Sequence, residues 1–391
     1  MTKLFMFEKP LGMRDTLPLL YEAKSAVRKK MTDEIKLWGY QFIETPALEY
    51  YETVGEASAI LDQQLFKLLD QQGHTLVLRP DMTAPIARVA ASRLLNQQIP
   101  VRLAYDANVY RAQQREGGRP AEFEQIGIEC IGNDTVSAET ESIALMVSAL
   151  KTAGLAEFQV SIGHIGFVQA LFLNILGTEE RASVLRKFLY DKNYVGYREH
   201  VKSLSLSSID KQRLLDFLSL RGGVDTLQKA ETLMENAAGA AALSELREIM
   251  EQLNDHDAAH MVHIDLTLIS HMSYYTGPLF EVYAGNIGSP VGNGGRYSNL
   301  LKKFGRDVPA TGFAVHVDKL VEALGEPESA EQVSCILFSQ ERRKEALECA
   351  QEKRRNGIRA VVQDINSVQD VDRFTAAYQE VELFIGGKRD E

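Results

Sequence analysis

The sequence predicts an α+β protein: an antiparallel sheet with flanking helices, a helical insertion, and a small α/β domain at the C-terminal end. Three observations predict it. Two long β-like runs, VRLAYDANVYR (101–111) and EFEQIGIECIG (122–132), flank a polar, glycine-containing tip and read as a hairpin. Residues from about 165 to 255 read as helix after helix. After residue 332, β-like and helical runs alternate as β-α-β-α-β, which argues a small α/β unit.

The elements follow in order. Residues 18–38 place apolar side chains at helical spacing, ending at Gly39. QFIETPALEY is a short strand broken by Pro46, TLVLR (75–79) is a strand, and Thr83 opens a helix. The hairpin comes next, then the helix ETESIALMVSALKTAG and the strand EFQVSIG. Five helical runs fill the insertion. Strands return at LFEVYAG (279–285), and GFAVHVDKLVEALG reads as a strand leading into a helix. The polar EPESAEQ (326–332), with Pro327, reads as a linker. The domains are therefore expected at 1–325 and 326–391.

The 391 residues suffice for a large core without disulfide or metal staples. The net charge of −11 gives no overall attraction to nucleic acid or anionic lipid. Cys130, Cys335 and Cys349 are too scattered for a disulfide framework or a CxxC site, and read as reduced thiols. No secretory leader and no run of about 18 apolar residues is readable, so a cytoplasmic location and no membrane span are expected.

Several clusters could carry chemistry. HDAAH (256–260), with His263 beyond, resembles a zinc-protease HExxH, but Asp257 has less reach than the required glutamate, so it reads as a solvated helix end. GNGGR (292–296) lacks the GK[ST] of a phosphate loop and reads as a tight turn. In the hairpin, Arg111 and Arg119 could converge on one anion across the tip, with Arg115 and Glu116 between. The facing strand offers Glu122, Glu124, Gln125 and Glu129. Alternation puts Phe123, Gln125, Gly127 and Glu129 on one face. Glu129, among isoleucines, needs a cationic or hydrogen-bonding partner. Asp81 and Thr83, at a strand-to-helix junction, could hold an ammonium group or cap the helix. SYYTG (273–277) offers Tyr274 and Tyr275 for a ligand or for packing.

In this order and at these separations, the clusters resemble the class II aminoacyl-tRNA synthetases, and the histidyl enzymes in particular. The resemblance covers roughly residues 10–324. It runs from GMRDTLP (12–18) through GYQFIETPALE (39–49, similar to motif 1), LRPDMTA (78–84) and the hairpin (similar to motif 2). It continues through YYTG (274–277) and GGRY (294–297) to GFAVHVDKL (312–320, similar to motif 3). It implies a histidine pocket. Asp81, Thr83 and Gln125 match the groups that hold the ammonium, and Glu129 and Tyr275 those that hold the imidazole, with Arg111 and Tyr274 beside them.

The departures fall on the adenylating parts. The acid that should follow Arg111 at two positions is Gln113. Ser270 stands where the family has the arginine that acts on the activated carboxylate. Lys319 replaces the motif 3 arginine, and His316 stands where a glycine lets the chain approach the nucleotide. Losing one group aimed at developing phosphate charge costs about 10²–10³ in rate, and lysine lacks arginine's fork. The C-terminal segment from Glu331 has 10 basic and 12 acidic residues, too little positive charge for an RNA surface.

A kept pocket with lost catalysis resembles the regulatory subunits of ATP phosphoribosyltransferase, synthetase-like partners of a short catalytic chain in histidine biosynthesis. That resemblance implies a non-enzyme without cofactor or metal. It implies assembly with the short catalytic subunit, a homodimer through motif 1, histidine as ligand, and no tRNA. A working histidyl-tRNA synthetase with divergent motifs is the alternative, and a synthetase-like enzyme with another acceptor a third reading.

Overall fold

A computed structural model describes residues 7–112, 120–234, 236–270, 274–325 and 333–386. The linker at 326–332, and Arg115, Glu116 and Arg119 of the hairpin tip, lie outside the described residues. The chain separates into two compact units that divide after Gly325, with Leu17–Glu22 grouped with the C-terminal one.

The larger unit is built on a nine-stranded sheet. Helix α1 (Pro18–Leu37) leads into β1 (Gln41–Phe42) and β2 (Leu48–Tyr50), with Pro46 between them. The strands β3 (Lys67–Leu69) and β4 (Thr75–Leu78) pair with β2 in a small separate sheet of order β2-β4-β3. Helix α2 (Thr83–Val89) precedes the hairpin of β5 (Val101–Tyr110) and β6 (Glu122–Ile131). Then come α3 (Val136–Ala153) and β7 (Phe158–His164).

The segment between β7 and the next long strand is a helical layer: α4 (Ile165–Leu176), α5 (Glu179–Tyr190), α6 (Tyr194–Ser203), α7 (Ser208–Phe217), α8 (Asp225–Glu231) and α9 (Ala237–Asp255). It is not purely helical. A two-residue strand, β8 (Arg221–Gly222), pairs with β9 (Val262–Asp265) and ties the layer to the sheet. Two residues are too few for alternation to show in the sequence.

The pocket strands follow: β10 (Pro278–Ala284), β11 (Gly292–Arg296), helix α10 (Ser298–Lys302), β12 (Ala310–His316) and helix α11 (Val317–Leu324). The sheet runs β1-β5-β6-β12-β11-β10-β7-β9-β8. Its pairs are antiparallel except β1–β5 and β7–β9.

One reading is corrected here. GNGGR is not a tight turn but the central strand β11. Its glycines are required by crowding. A Cβ on Gly294 would lie 2.4 Å from the Gly312 carbonyl oxygen and 2.5 Å from the Phe280 ring. Glycine runs usually signal a turn; here they let strands and rings approach.

One face of the sheet is the main core. Ala104, Ile126, Ile128, Phe280, Val282, Phe313 and Val315 pack there with Val27, Met31 and Ile35 of α1 and the buried stripe of α3. A buried cation locks α1 in place. Lys24 Nζ lies 2.9 Å from Glu124 of β6 and 2.8 Å from Asp318 of α11. These two carboxylates hold the ammonium's pKa above its ordinary value although burial opposes it. The opposite face, with Leu103, Tyr105, Val109 and Phe123, packs against the β4 and α2 side chains Val77 and Ile86 and carries the site.

The C-terminal unit alternates β13 (Val333–Phe338), α12 (Arg343–Arg355), β14 (Arg359–Asp364), α13 (Val371–Thr375) and β15 (Glu380–Phe384). Its sheet is parallel, in the order β14-β13-β15. Ile336 and Phe338 pack on Ala346 and Ala350 of α12.

The crowding at β11 is testable. Gly294→Ala is expected to destabilise the chain by about 1–3 kcal/mol, the usual cost of overpacking. In urea unfolding the midpoint should fall with an unchanged slope.

Candidate functional site

Strand alternation and register lay out the floor of the site. Leu279, Gly295, Gly312, Glu129 and Leu103 stand side by side across β10, β11, β12, β6 and β5. The next row on the same face is Glu281, Asn293, Ala314, Gly127 and Tyr105. Beyond it come His316, Gln125 and Ala107. Gly295, Gly312, Ala314 and Gly127 occupy the middle of the first two rows, so the floor is low there.

Glu129 is 2% exposed. Its carboxylate accepts hydrogen bonds from the Tyr297 hydroxyl and from Thr83. No cation pairs with it among these contacts. Burial pushes its pKa up to about 8, nearby Asp81 adds to the rise, and the two hydroxyl bonds only partly offset it. Tyr105 brings a second phenol to the floor. A Cβ on Gly127 would lie 2.4 Å from that hydroxyl, so only glycine leaves it room.

Asp81 is both a cap and a wall. Its Oδ1 accepts the Ala84 N–H at 2.9 Å, and its Oδ2 accepts the Ser58 hydroxyl at 2.7 Å. It remains within electrostatic reach of Glu129, Arg111, Tyr105, Tyr274 and Tyr275, so one cluster contains all six groups.

Tyr274 packs edge-on to Tyr275 at 5.2 Å and to Tyr297 at 5.7 Å. The Tyr275 hydroxyl takes a hydrogen bond from Asn293 Nδ2 at 3.4 Å. Arg111 donates from Nε to the Pro80 carbonyl at 2.9 Å, and its guanidinium carbon lies 5.2 Å from the Phe123 ring centroid. Gln125 is buried on the same floor.

The loop carrying the two tyrosines is anchored from below. Thr276 N–H donates to the Arg296 carbonyl at 2.8 Å, and the Gly277 carbonyl accepts the Ile165 N–H at 3.1 Å. The Arg296 side chain turns to the core face and pairs with Glu139 at 2.6 Å and Asp134 at 3.0 Å.

Other acids of the hairpin go elsewhere. Glu122 accepts from Asn108 Nδ2 at 2.7 Å, and Glu124 holds Lys24. The three histidines of the HDAAH region also diverge. His256 stacks on Trp38, His260 faces Asp257 at 3.8 Å, and His263 bonds Gln159. Among the described residues, no group of three or more His, Cys, Asp or Glu side chains could hold a metal ion.

Sequence reasoning missed Tyr105, Tyr297, Ser58 and Asn293. Tyr297 was visible only as the last letter of GGRY. Its bond to Glu129 crosses 168 positions of chain. Tyr105 could have been placed by alternation only with the hairpin register known.

The arrangement can bind a small ligand that brings positive charge and hydrogen-bond donors to two buried carboxylates, and carries a flat or apolar part against tyrosines.

Relatives sharpen this. Residues 12–320 match the family model described as histidyl-tRNA synthetase. Residues 335–386 match that of the histidyl-tRNA synthetase HisZ C-terminal domain. An ATP phosphoribosyltransferase regulatory subunit of Geobacillus kaustophilus is 63% identical over 384 residues, 98% of each chain. The chain belongs to the family of ATP phosphoribosyltransferase regulatory subunits. The family's member from Bacillus subtilis is 56% identical over 99% of each chain.

A crystal structure described as an ATP phosphoribosyltransferase regulatory subunit/histidyl-tRNA synthetase, from Bacillus halodurans, superposes with a TM-score of 0.92 at 58% identity. It covers 99% of this chain and 100% of that one. The histidyl-tRNA synthetase of Nostoc sp. PCC 7120 has a TM-score of 0.80 at 21% identity, over 96% of this chain and 89% of that one. That likeness fixes the fold: the regulatory-subunit family shares the class II synthetase architecture.

The state of Glu129 has a measurable consequence. Between its ordinary value of 4.5 and about 8, the folded chain keeps a proton that the unfolded chain releases. The stabilisation is complete below that window and is lost as pH rises through it. At about 1.4 kcal/mol per unit, the effect reaches a few kcal/mol. In thermal unfolding from pH 5 to pH 9, Glu129→Gln should lose less stability than the parent. Parallel curves would show that Glu129 does not carry this dependence.

Proposed function

We propose that this chain is the non-catalytic regulatory subunit of ATP phosphoribosyltransferase, acting in the first step of histidine biosynthesis with the short catalytic subunit. The observation that carries the ligand reading is the buried Asp81–Glu129 pair among Tyr105, Tyr274, Tyr275 and Tyr297. Histidine suits it. Its ammonium goes to Asp81, Thr83 and Gln125, and its imidazole to Glu129 and Tyr275. Tyr274 and Arg111 close the sides. A cationic donor at Glu129 would favour the ionised carboxylate, which burial otherwise disfavours.

Adenylation is lost in this reading. Ser270 has no positive charge to offer an activated carboxylate. Lys319 Nζ is directed to the Pro290 carbonyl at 2.9 Å, a use that supports a structural role. The C-terminal unit is a reduced counterpart of an anticodon-binding domain, so the two domains divide at 325/326. Its basic helix is partly neutralised, since Lys353 pairs with Glu380 at 2.8 Å and Glu382 at 2.7 Å. This favours assembly without tRNA.

A homodimer through the motif 1 segment is supported by the apolar side chains the small sheet leaves uncovered: Leu48, Tyr50, Leu68 and Leu69, the last 74% exposed. Among the described residues no helix is long and apolar enough to cross a membrane, in keeping with work alongside a cytoplasmic enzyme. Feedback by histidine would be an equilibrium coupling, typically 1–3 kcal/mol between sites.

The test pairs calorimetric titration of histidine with histidine-dependent pyrophosphate exchange. Binding without exchange is expected. Exchange at an ordinary synthetase rate would make the chain a histidyl-tRNA synthetase. Glu129→Ala should weaken histidine binding by about ten- to a hundredfold, the worth of a hydrogen bond to a charged group, while the chain stays folded. Unchanged affinity would remove Glu129 from the pocket's working parts. Mixed with the short catalytic chain, the protein should co-elute with it; separate elution would count against the partnership.

A further inference from the structure

On the core face, one row of residues crosses the sheet beneath the tyrosine loop. His164 of β7 stands opposite Pro278 of β10, the residue at which that loop ends. The register carries the row on through Arg296, Thr311, Cys130 and Arg102. The two basic side chains nearest the loop each meet a carboxylate from a different helix. Arg296 meets Glu139 of α3 at 2.6 Å. His164 Nε2 meets Glu245 of α9 at 2.9 Å, across 81 positions of chain.

His164 is 5% exposed. Its Nδ1 is buried and, among the described residues, has no hydrogen-bond partner. The hydrogen bond that orients the ring is therefore the one to Glu245. A carboxylate only accepts, so Nε2 carries the hydrogen. Burial works against the Glu245 charge, but His164 and Arg296 outweigh it and hold its pKa below the ordinary value. Glu139 in turn lies within electrostatic reach of Glu245. The four groups form one cluster, largely shielded from water, where losing one member is costly.

The loop rests on both basic residues. The Gly277 carbonyl accepts the N–H of Ile165, the residue after His164, at 3.1 Å. A Cβ on Gly277 would lie 3.2 Å from Arg296 Cδ. Glu245 belongs to the last helix of the helical layer, so this layer is hydrogen-bonded to the strand end that carries the loop.

We infer that His164 is a positioning residue of the pocket and Glu245 its control from the helical layer: their hydrogen bond fixes the end of β7 to which the tyrosine loop is bonded, so a shift of α9 moves Tyr274 and Tyr275. The inference goes beyond the regulatory reading and rests on the histidine reading only for its ligand readout. The helical layer and the pocket are then two parts joined by a coupling free energy.

The experiment is amide hydrogen exchange on the full chain, read over residues 274–284, with 101–110 of β5 as the reference for general loosening. Glu245→Ala removes the acceptor and leaves α9 with a better helix former. Exchange over 274–284 should rise about tenfold or more, the worth of a hydrogen bond to a charged group, while 101–110 stays unchanged. Glu245→Gln keeps an acceptor for Nε2 and should restore most of the protection. His164→Leu keeps bulk and loses the donor. It should match Glu245→Ala, and the double variant should add nothing, since both changes remove the same bond. Glu245→Ala should also bind histidine about tenfold more weakly, within the usual range of coupling between sites. Parental exchange over 274–284 in folded Glu245→Ala and His164→Leu would overturn the inference. So would an equal rise over 101–110. In a parent that binds histidine, faster exchange with unchanged affinity would make the pair structural and overturn it as well. A parent that binds no histidine would sink the amino-acid reading, and the exchange pattern would still decide this one.

Discussion

A carboxylate buried with phenols and hydroxyls for partners governs this molecule. An isolated charge in the interior is costly, and proteins answer by pairing it or by shifting its pKa. Glu129 shows the second response, with its pKa pushed up to about 8. Tyr297 and Thr83 hydrogen-bond it without neutralising it. In the reading proposed above, a cationic, donor-rich ligand would favour the ionised form of Glu129 that burial disfavours. Binding proteins spend stability in this way at functional sites, where local rules of folding are broken for a purpose.

The rest of the larger unit can be understood as the scaffold that keeps this arrangement in place. Five strands approach closely under the site, and their small residues allow it. Gly127 makes room for the Tyr105 hydroxyl, and Gly294 for the Phe280 ring beneath. The tyrosine loop is fixed by backbone bonds to Arg296 and Ile165. Arg296 is itself held on the core side by Glu139, which is fully buried. Adjacent residues at the end of β11 thus serve opposite faces: Arg296, the last of the strand, secures the loop from the core, and Tyr297, just beyond it, holds Glu129 from above. Alternation makes this possible.

Much of this was legible in the sequence, for identifiable reasons. The hairpin declared itself by two long β-like runs around a polar tip, and with it the common face of Gln125 and Glu129. The helical layer declared itself by periodicity. The glycine strand did not, because glycine has no side chain with which to show alternation, and its local preference is for turns. Tyr297 and Ser58 could not be placed because their partners are distant in sequence. Ser58 reaches Asp81 across 23 positions, and Tyr297 reaches Glu129 across 168. Local patterns reveal faces; they do not reveal which faces meet. For Asp81 the sequence left two uses open, and the structure shows the capping use while leaving the residue at the wall of the site. A short carboxylate at a helix start can do both, since one oxygen satisfies the orphan N–H while the group's charge still acts through space.

In the proposed reading, the same cleft would hold a ligand without transforming it. Adenylate chemistry needs positive groups fixed where negative charge develops. In this chain the described cations around the floor are engaged with the protein itself: Arg111 with the Pro80 carbonyl and Phe123, Lys319 with the Pro290 carbonyl, Arg296 with Glu139 and Asp134. The side chains gathered with Glu129 and Asp81 are phenolic: Tyr105, Tyr274, Tyr275 and Tyr297. Such a surface stabilises a bound cation in its ground state and gives no advantage to an anionic transition state. Tight binding and catalysis are separable on physical grounds, because only interactions stronger in the transition state accelerate a reaction. A fold that keeps the first set of contacts and reassigns the second becomes a sensor, and its output must then be an equilibrium between conformations or assemblies, not a product.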